Sequence, residues 1–256
     1  MPASKCKQPG GSIRRWKNQC RDDRFVIKGR RFEEKHQHKR EKIAARVFFR
    51  QIFITFAAMN YQAITDNYYC EDNSLRHILL EHSRAVADKA LRIADAHPEL
   101  GIDRQFVEEA AMLHDIGIFR CDAPGIECHG TEPYIRHGRI GAELLRAEGF
   151  PRHARVCERH TGAGLSLEDI VLHDLPLPHQ SFLPETIEEI LVCYADKFFS
   201  KTRLDREKTF AEAERSIAKY GSEGLARFRE WHRMFAEDTG DDSLRDAEKI
   251  AVKNGQ

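Results

Sequence analysis

The stretch AAMLHDIGIF sets His114 and Asp115 side by side at the end of an apolar run with helical period. Neighbouring side chains on an α-helix point about 100° apart, so both reach one small object only where the helix unwinds. Gly117, two residues further on, tolerates that unwinding. An imidazole beside a carboxylate at a rigid helix end suits a divalent metal ion of intermediate softness. The pair gains its meaning from further isolated histidines and one aspartate, which recur at intervals that close a cage around it.

From Met59 onward the chain reads as helix after helix. Asn73 or Ser74 caps a long amphipathic segment reaching about Ala96, with Ile78, Leu79, His82, Val86, Ala90 and Ile93 near one face. His97-Pro98 ends it, and Asp103 caps the helix that runs into His114 and Asp115. A loop with Pro124, Gly125, Gly130 and Pro133 leads to a helix from His137 to Ala147; Pro151 starts the next, which ends at His160. Residues 165–183 read as irregular. Pro184 then opens a strong helix, PETIEEILVCYADKFFSK, and two more follow near 209–220 and 222–237. No segment reads as a convincing strand, so the expected fold is an all-α helical bundle over residues 59–240, with a metal core at about 73–200 and a frayed tail at 241–256.

Charge patterning separates a first segment from this body. Residues 1–58 hold 16 Lys and Arg against 5 Asp and Glu, whereas the rest holds 25 against 36. The first 45 residues carry no sustained hydrophobic period and read as disordered. Two readings stand: a basic arm that touches nucleic acid or membrane, or a non-native extension preceding a true start at Met59, which the abrupt change of composition favours. The acidic body argues against a broad nucleic-acid footprint. Ile52 to Met59 is too short for a membrane span, which needs about 20 residues. The seven cysteines are scattered and lack a CxxC pair, which points to reduced thiols and a cytoplasmic protein. Cys121 and Cys128-His129 fit no common zinc spacing.

Five places stand out: His82, the His114-Asp115 pair, His137, His160 and Asp196. They are separated by 32, 23, 23 and 36 residues, each interval fitting one helix with its connection. Helical bundles build metal sites in this way, one ligand per helix. The remaining histidines, including His36, His38, His77, His97, His153, His173, His179 and His232, read as ordinary core or surface residues. Near the ligands in sequence, Lys197 is the first choice for holding a substrate phosphate. Arg159, Arg139, Arg136, Arg120 and His129 are weaker candidates, for which an ordinary surface role competes.

With these residues in place the sequence resembles the HD-domain superfamily of metal-dependent phosphohydrolases, in the branch with the HDIG form of the motif. The matching stretches are LEHSRAVADKALRIA, AAMLHDIG, HGRIGAELLRAEGFP, VCERHTGAG and YADKF. The resemblance implies a helical bundle in which His82, His114, Asp115 and Asp196 bind one ion. His137 and His160 would bind a second, with Asp115 as bridge. Among family members the local motifs are most similar to small bacterial hydrolases of dinucleoside polyphosphates, from which this chain departs by about twenty inserted residues between Thr161 and Pro184.

Such a cage suits phosphate chemistry. Two divalent ions bring +4 against −2 from the aspartates, so the cavity attracts a phosphate. Ions about 3.5–4 Å apart polarise a phosphoryl oxygen and lower the pKa of bound water toward about 7. The expectation is a hydrolase of a phosphate ester or anhydride on a small nucleotide-like substrate, acting through a metal-bound hydroxide. Asp115 and Lys197 are the catalytic candidates, and Lys197, Arg159, Arg139 and His129 the substrate-binding ones. Iron or manganese are the first choices of metal, and zinc, cobalt and nickel remain compatible with the donors. Two alternatives stay open: a mixed-valent di-iron oxygenase on the same fold, with Tyr61, Tyr68 and Tyr69 as gate, and a nucleotide sensor without turnover.

Overall fold

The structure, a computed structural model, describes residues 59–236. The basic segment 1–58 and the tail 241–256 therefore lie outside the described residues. Helix α1 (Tyr61–Tyr68) is capped by Asn60, whose side chain accepts from the amide of Ala63 at 2.9 Å. Asn73 caps α2 (Ser74–Ala96) in the same manner, accepting from Arg76 N at 3.0 Å. On α2 the buried residues Leu79, His82, Val86, Ala90 and Ile93 recur at steps of three and four, the stripe that faces a core. Burying each large aliphatic side chain contributes about 1.5–3 kcal/mol, against about 1 kcal/mol for a cap, so the stripe dominates and the cap sets the start.

Asp103 caps α3 (Arg104–Leu113), which stops immediately before His114. The chain then makes a tight turn and a three-stranded sheet of short pieces: β1 (Cys121–Ala123), β2 (Cys128–His129) and β3 (Glu132–Pro133), in the order β2-β1-β3. β1 pairs antiparallel with β2 and parallel with β3. These strands correct the expectation of none; at two or three residues they are too short to show a period of two. Helices α4 (His137–Ala147) and α5 (Pro151–Arg159) follow as an antiparallel pair, the second with Pro at its first position.

Two further expectations change. The segment 165–183 contains a short helix, α6 (Leu167–Leu172), with a capping box between Ser166 and Asp169. The following helix, α7 (Ile187–Asp196), starts at neither Pro184 nor Glu185. Thr186 is its cap, accepting from Glu189 N at 3.3 Å, and the first turn carries Glu188 and Glu189. A side-chain cap with acidic residues at the dipole's positive end outweighs the preference for Pro at the first position. The same helix ends at Asp196 rather than running on through Lys201. Helices α8 (Phe210–Ile217) and α9 (Ser222–Phe235) complete the bundle.

α7 packs against α2, α3, α5 and α9 and so forms the centre of the bundle. One apolar cluster gathers Val86, Phe106, Leu191, Tyr194, Phe228 and Trp231. A second gathers Leu79, Leu113, Ile116, Leu145 and Cys157. His82 sits between Leu79 of the second cluster and Val86 of the first, and His114 directly follows Leu113, so the site lies at the seam of the two cores. No helix among the described residues is long and apolar enough to cross a membrane.

Candidate metal centre

Each donor is delivered by the end or the inward stripe of a helix. His82 lies on the buried face of α2, His114 is the residue after α3, His137 opens α4, His160 follows α5 and Asp196 closes α7. All six side chains are buried, Asp115 and His114 completely. Two groups of donor atoms form, His82, His114, Asp115 and Asp196 in one and Asp115, His137 and His160 in the other.

Asp115 divides its two oxygens between the groups. Oδ2 lies 2.9 Å from His114 Nε2 and 3.2 Å from His82 Nε2. Oδ1 lies 3.4 Å from both His137 Nε2 and His160 Nε2. Asp196 Oδ1 completes the first group at 3.0 Å from His82 Nε2 and 3.5 Å from His114 Nε2. Although atoms crowd at these distances, Asp115 Oδ1 and His114 Nε2 have no hydrogen-bond partner among the described residues. Buried polar atoms left this way cost about 1–3 kcal/mol each unless something else meets them.

The ring tautomers show what that partner must be. Nδ1 of His114 lies 2.6 Å from the carbonyl of Ala111, Nδ1 of His137 2.6 Å from that of Tyr134, and Nδ1 of His160 2.7 Å from that of Cys157. A carbonyl only accepts, so each Nδ1 carries a proton and each ring turns its Nε2 toward the centre, where a neutral ring presents a bare lone pair. His137 Nε2 and His160 Nε2 stand 3.0 Å apart. Two lone pairs and a carboxylate oxygen converging on one point fit a divalent cation, and the backbone bonds behind the rings fix their aim. The donor set, imidazole with carboxylate, suits a first-row transition ion.

Charge and burial act in opposite directions here. Burial works against the charged form of His114, yet the Asp115 and Asp196 carboxylates outweigh it and hold the ring up at about 9. His137 is pushed down to about 3 by burial and by the neighbouring His160. Burial lowers His160 as well. Burial opposes the charged carboxylates of Asp115 and Asp196, but His114 and Lys201 around the first, and Lys197 beside the second, hold both well below the usual range.

Lys197 bonds Asp196 Oδ2 at 2.6 Å and donates to the carbonyl of His160 at 2.9 Å, clamping the end of α7 to the end of α5. The other cationic candidates are not brought to the donors. Arg139 is paired with Glu143 at 3.0 Å, and Arg159 bonds the carbonyl of Leu183 and, at 2.7 Å, Glu185. Arg136 is paired with Glu132, and Arg120 lies over the ring of Phe119. The His129 side chain is 67% exposed and faces Glu127 at 3.6 Å. Sequence reasoning overlooked Lys201, whose Nζ lies 2.5 Å from Asp115 Oδ2. Reading α7 as continuous through that residue hid it; the break after Asp196 turns the chain back toward Asp115.

Gly117 serves a different purpose from the one expected. Its φ is −86°, open to any residue, but a Cβ there would press into the carbonyl oxygen of His137 and the amide of Gly141. The glycine is required for close approach of α4, which carries His137. Gly162 and Gly164, with φ of 61° and 77°, are the ones in the left-handed region, turning the chain just after His160.

Comparison with known proteins agrees with this geometry. Residues 79–200 match the family described as HD domain, a span that contains all six donors. The protein MJ0778 of Methanocaldococcus jannaschii is 34% identical over 154 residues, 59% of this chain and 80% of that protein. A tRNA (cytidine(56)-2'-O)-methyltransferase of Picrophilus torridus is 36% identical over 128 residues, half of this chain but only 33% of the relative. A ribonuclease Y of Alkaliphilus metalliredigens is 34% identical over 118 residues, 46% of this chain and 19% of the relative. The chain thus spans most of the first relative and a third or less of the other two. Among solved structures, the HD domain of the L. monocytogenes phosphodiesterase PgpH aligns with a TM-score of 0.38 at 16% identity, over 62% of this chain and 95% of that one. With its motif, its helical bundle and its family match in agreement, the chain belongs to the HD-domain family.

Proposed function

We propose that the protein is a phosphohydrolase that cleaves a phosphate ester or anhydride bond of a small nucleotide-like substrate. Two divalent transition ions, iron or manganese by preference, would be held by His82, His114, Asp115 and Asp196 and by Asp115, His137 and His160. The observation that carries this reading is the division of Asp115, one oxygen to each buried donor group. Such ions, when bound, polarise a phosphoryl oxygen and make water nucleophilic near neutral pH.

The chain's own groups set the stage for that chemistry. Asp115 and Asp196 contribute −2, and the ammonium groups of Lys197 and Lys201 offset it, so a pair of divalent cations leaves the centre strongly positive toward a phosphate. The carbonyl bonds behind His114, His137 and His160 hold the rings in place, which keeps the reorganisation cost of the reaction small. The nearby thiols do not act as nucleophiles. Cys157 donates to the carbonyl of Leu113 and Cys193 to that of His160, and burial pushes Cys193 up to about 12 and Cys157 well above its usual value.

The test uses the full chain. Bound metal is measured on the purified protein, and manganese- and iron-loaded samples are assayed for phosphate release. The panel covers nucleoside mono-, di- and triphosphates, dinucleoside polyphosphates and short RNAs, the last because two relatives are named as RNA-directed enzymes. Turnover of a panel member with about two ions per chain is expected. Retention of both ions with no turnover of any member overturns the reading.

A further inference from the structure

A hollow of about 290 Å³ lies against the centre. Its lining comes from the end of β1 and the turn after it (Ala123, Gly125, Ile126), from the segment after α7 (Ser200, Thr202), and from Tyr134 and Lys201. Two of these residues connect it to the metal donors. Lys201 Nζ contacts Asp115 Oδ2 at 2.5 Å, and its side chain lines the hollow beside Tyr134. The Tyr134 ring stacks on His137, with centroids 4.6 Å apart and planes 20° from parallel. The Lys201 side chain is itself only 13% exposed. An ammonium group is seldom buried without a task, since desolvating it is costly.

We propose that Lys201 holds the substrate's phosphate at the border of the centre and that the hollow receives the nucleoside part of one nucleotide unit. The inference rests on the phosphohydrolase reading and adds to it a positioning group and a nucleoside subsite. Lys197 has its hydrogen bonds committed to Asp196 and to the His160 carbonyl, whereas Lys201 alone both touches a donor carboxylate and lines the hollow. At about 290 Å³ the hollow is at the small end of ligand pockets, which run about 300–1,000 Å³. That space takes one nucleoside unit. The ring and methyl groups of Tyr134, Ile126 and Ala123 offer an apolar wall, and the Ser200 and Thr202 hydroxyls, bonded to each other at 3.0 Å, keep one O–H donor for a ribose.

The test reads binding, so it is independent of turnover. Calorimetry on manganese-loaded full chain measures inorganic phosphate and AMP against wild type, Lys201→Met, Lys201→Arg and Gly125→Phe, with bound metal counted in each. Gly125 suits a filling substitution because a Cβ there meets nothing within 4 Å. Lys201→Met is expected to keep its metal and weaken both phosphate and AMP by roughly 10–100-fold, the range for a lost charge-assisted bond. Lys201→Arg is expected to recover most of that loss. Gly125→Phe is expected to weaken AMP at least about ten-fold and to leave phosphate within about two-fold. Wild-type phosphate affinity in Lys201→Met, wild-type AMP affinity in Gly125→Phe, or loss of metal in Lys201→Met overturns the inference. Failure of the substrate panel alone, with these binding results intact, instead strikes the hydrolase reading.

Discussion

The two donor groups of the centre share Asp115 but are otherwise built differently. The first draws His82 from the middle of a 23-residue helix and Asp196 from the end of the central α7, and it holds two carboxylates flanked by two lysines. The second takes both imidazoles from helix termini, His137 and His160, and has no carboxylate of its own. Attraction for a divalent cation rises with donor charge, so the first group should fill at lower metal concentration than the second. Asp115 belongs to both. Asp115→Ala is therefore predicted to have the largest effect: metal content falls from about two ions per chain to none, and phosphate release falls by at least about 100-fold, beyond what loss of an outer-shell partner costs. Retention of two ions in that variant would remove the shared carboxylate from the comparison.

Single-histidine variants break the comparison one side at a time. His160→Ala removes one of two imidazoles from the weaker group and is predicted to leave one ion per chain, held by the first group. His82→Ala removes one donor from the stronger group, and the remaining His114, Asp115 and Asp196 are predicted to keep the ion with affinity reduced by about 10–1,000-fold. Metal titration followed by mass spectrometry of the intact protein separates the two outcomes. A reversed order, with His160→Ala losing both ions and His82→Ala neither, would show that the imidazole pair holds metal better than the carboxylate-rich group.

The approach of α4 gives a steric version of the same test. Gly117→Ala sets a methyl group against the His137 carbonyl and Gly141 backbone, neither of which is a flexible side-chain end. Overpacking of this kind costs about 1–3 kcal/mol, or roughly 2–12 °C in Tm for a chain of this size. The displaced element carries His137, so the second ion should weaken before the first. Gly125→Ala, with nothing within 4 Å of its Cβ, is the matched control and should stay within about 0.5 kcal/mol of the parent. Equal melting of the two variants would mean that α4 moves freely and does not position its histidine.

How much of this was legible in the sequence depended on the kind of information each residue carries. The convergence of the six candidate donors could be read because His and Asp declare their chemistry by type, and intervals of 23 to 36 residues match one helix and its connection. The long stripe on α2 and the caps at Asn73 and Asp103 were legible for the same local reasons. Lys201 was not, because its place depends on where α7 ends, and the apolar run through Phe198 and Phe199 continues past the end of the helix. The reason for Gly117 was hidden too, since close approach to α4 is a long-range fact, whereas the φ it adopts is ordinary. Strands of two or three residues leave no period to detect.

Sequence proximity to a donor, finally, does not say where a neighbouring side chain points. Arg139 lies two residues after His137 on α4, which turns it about 200° away around the helix, and its guanidinium is engaged by Glu143 at 3.0 Å. His129 is exposed beside Glu127. Arg139→Ala and His129→Ala are accordingly predicted to have the smallest effects, with both ions kept and kcat/KM within about two-fold of the parent, because exposed ion pairs of this kind contribute about 0–1 kcal/mol. Steady-state kinetics on the substrate found by the panel checks this. A ten-fold loss in Arg139→Ala with KM raised and metal unchanged would mean that the guanidinium leaves Glu143 to meet the substrate. The weaker donor group would then have a cation of its own, matching Lys201 beside the stronger one.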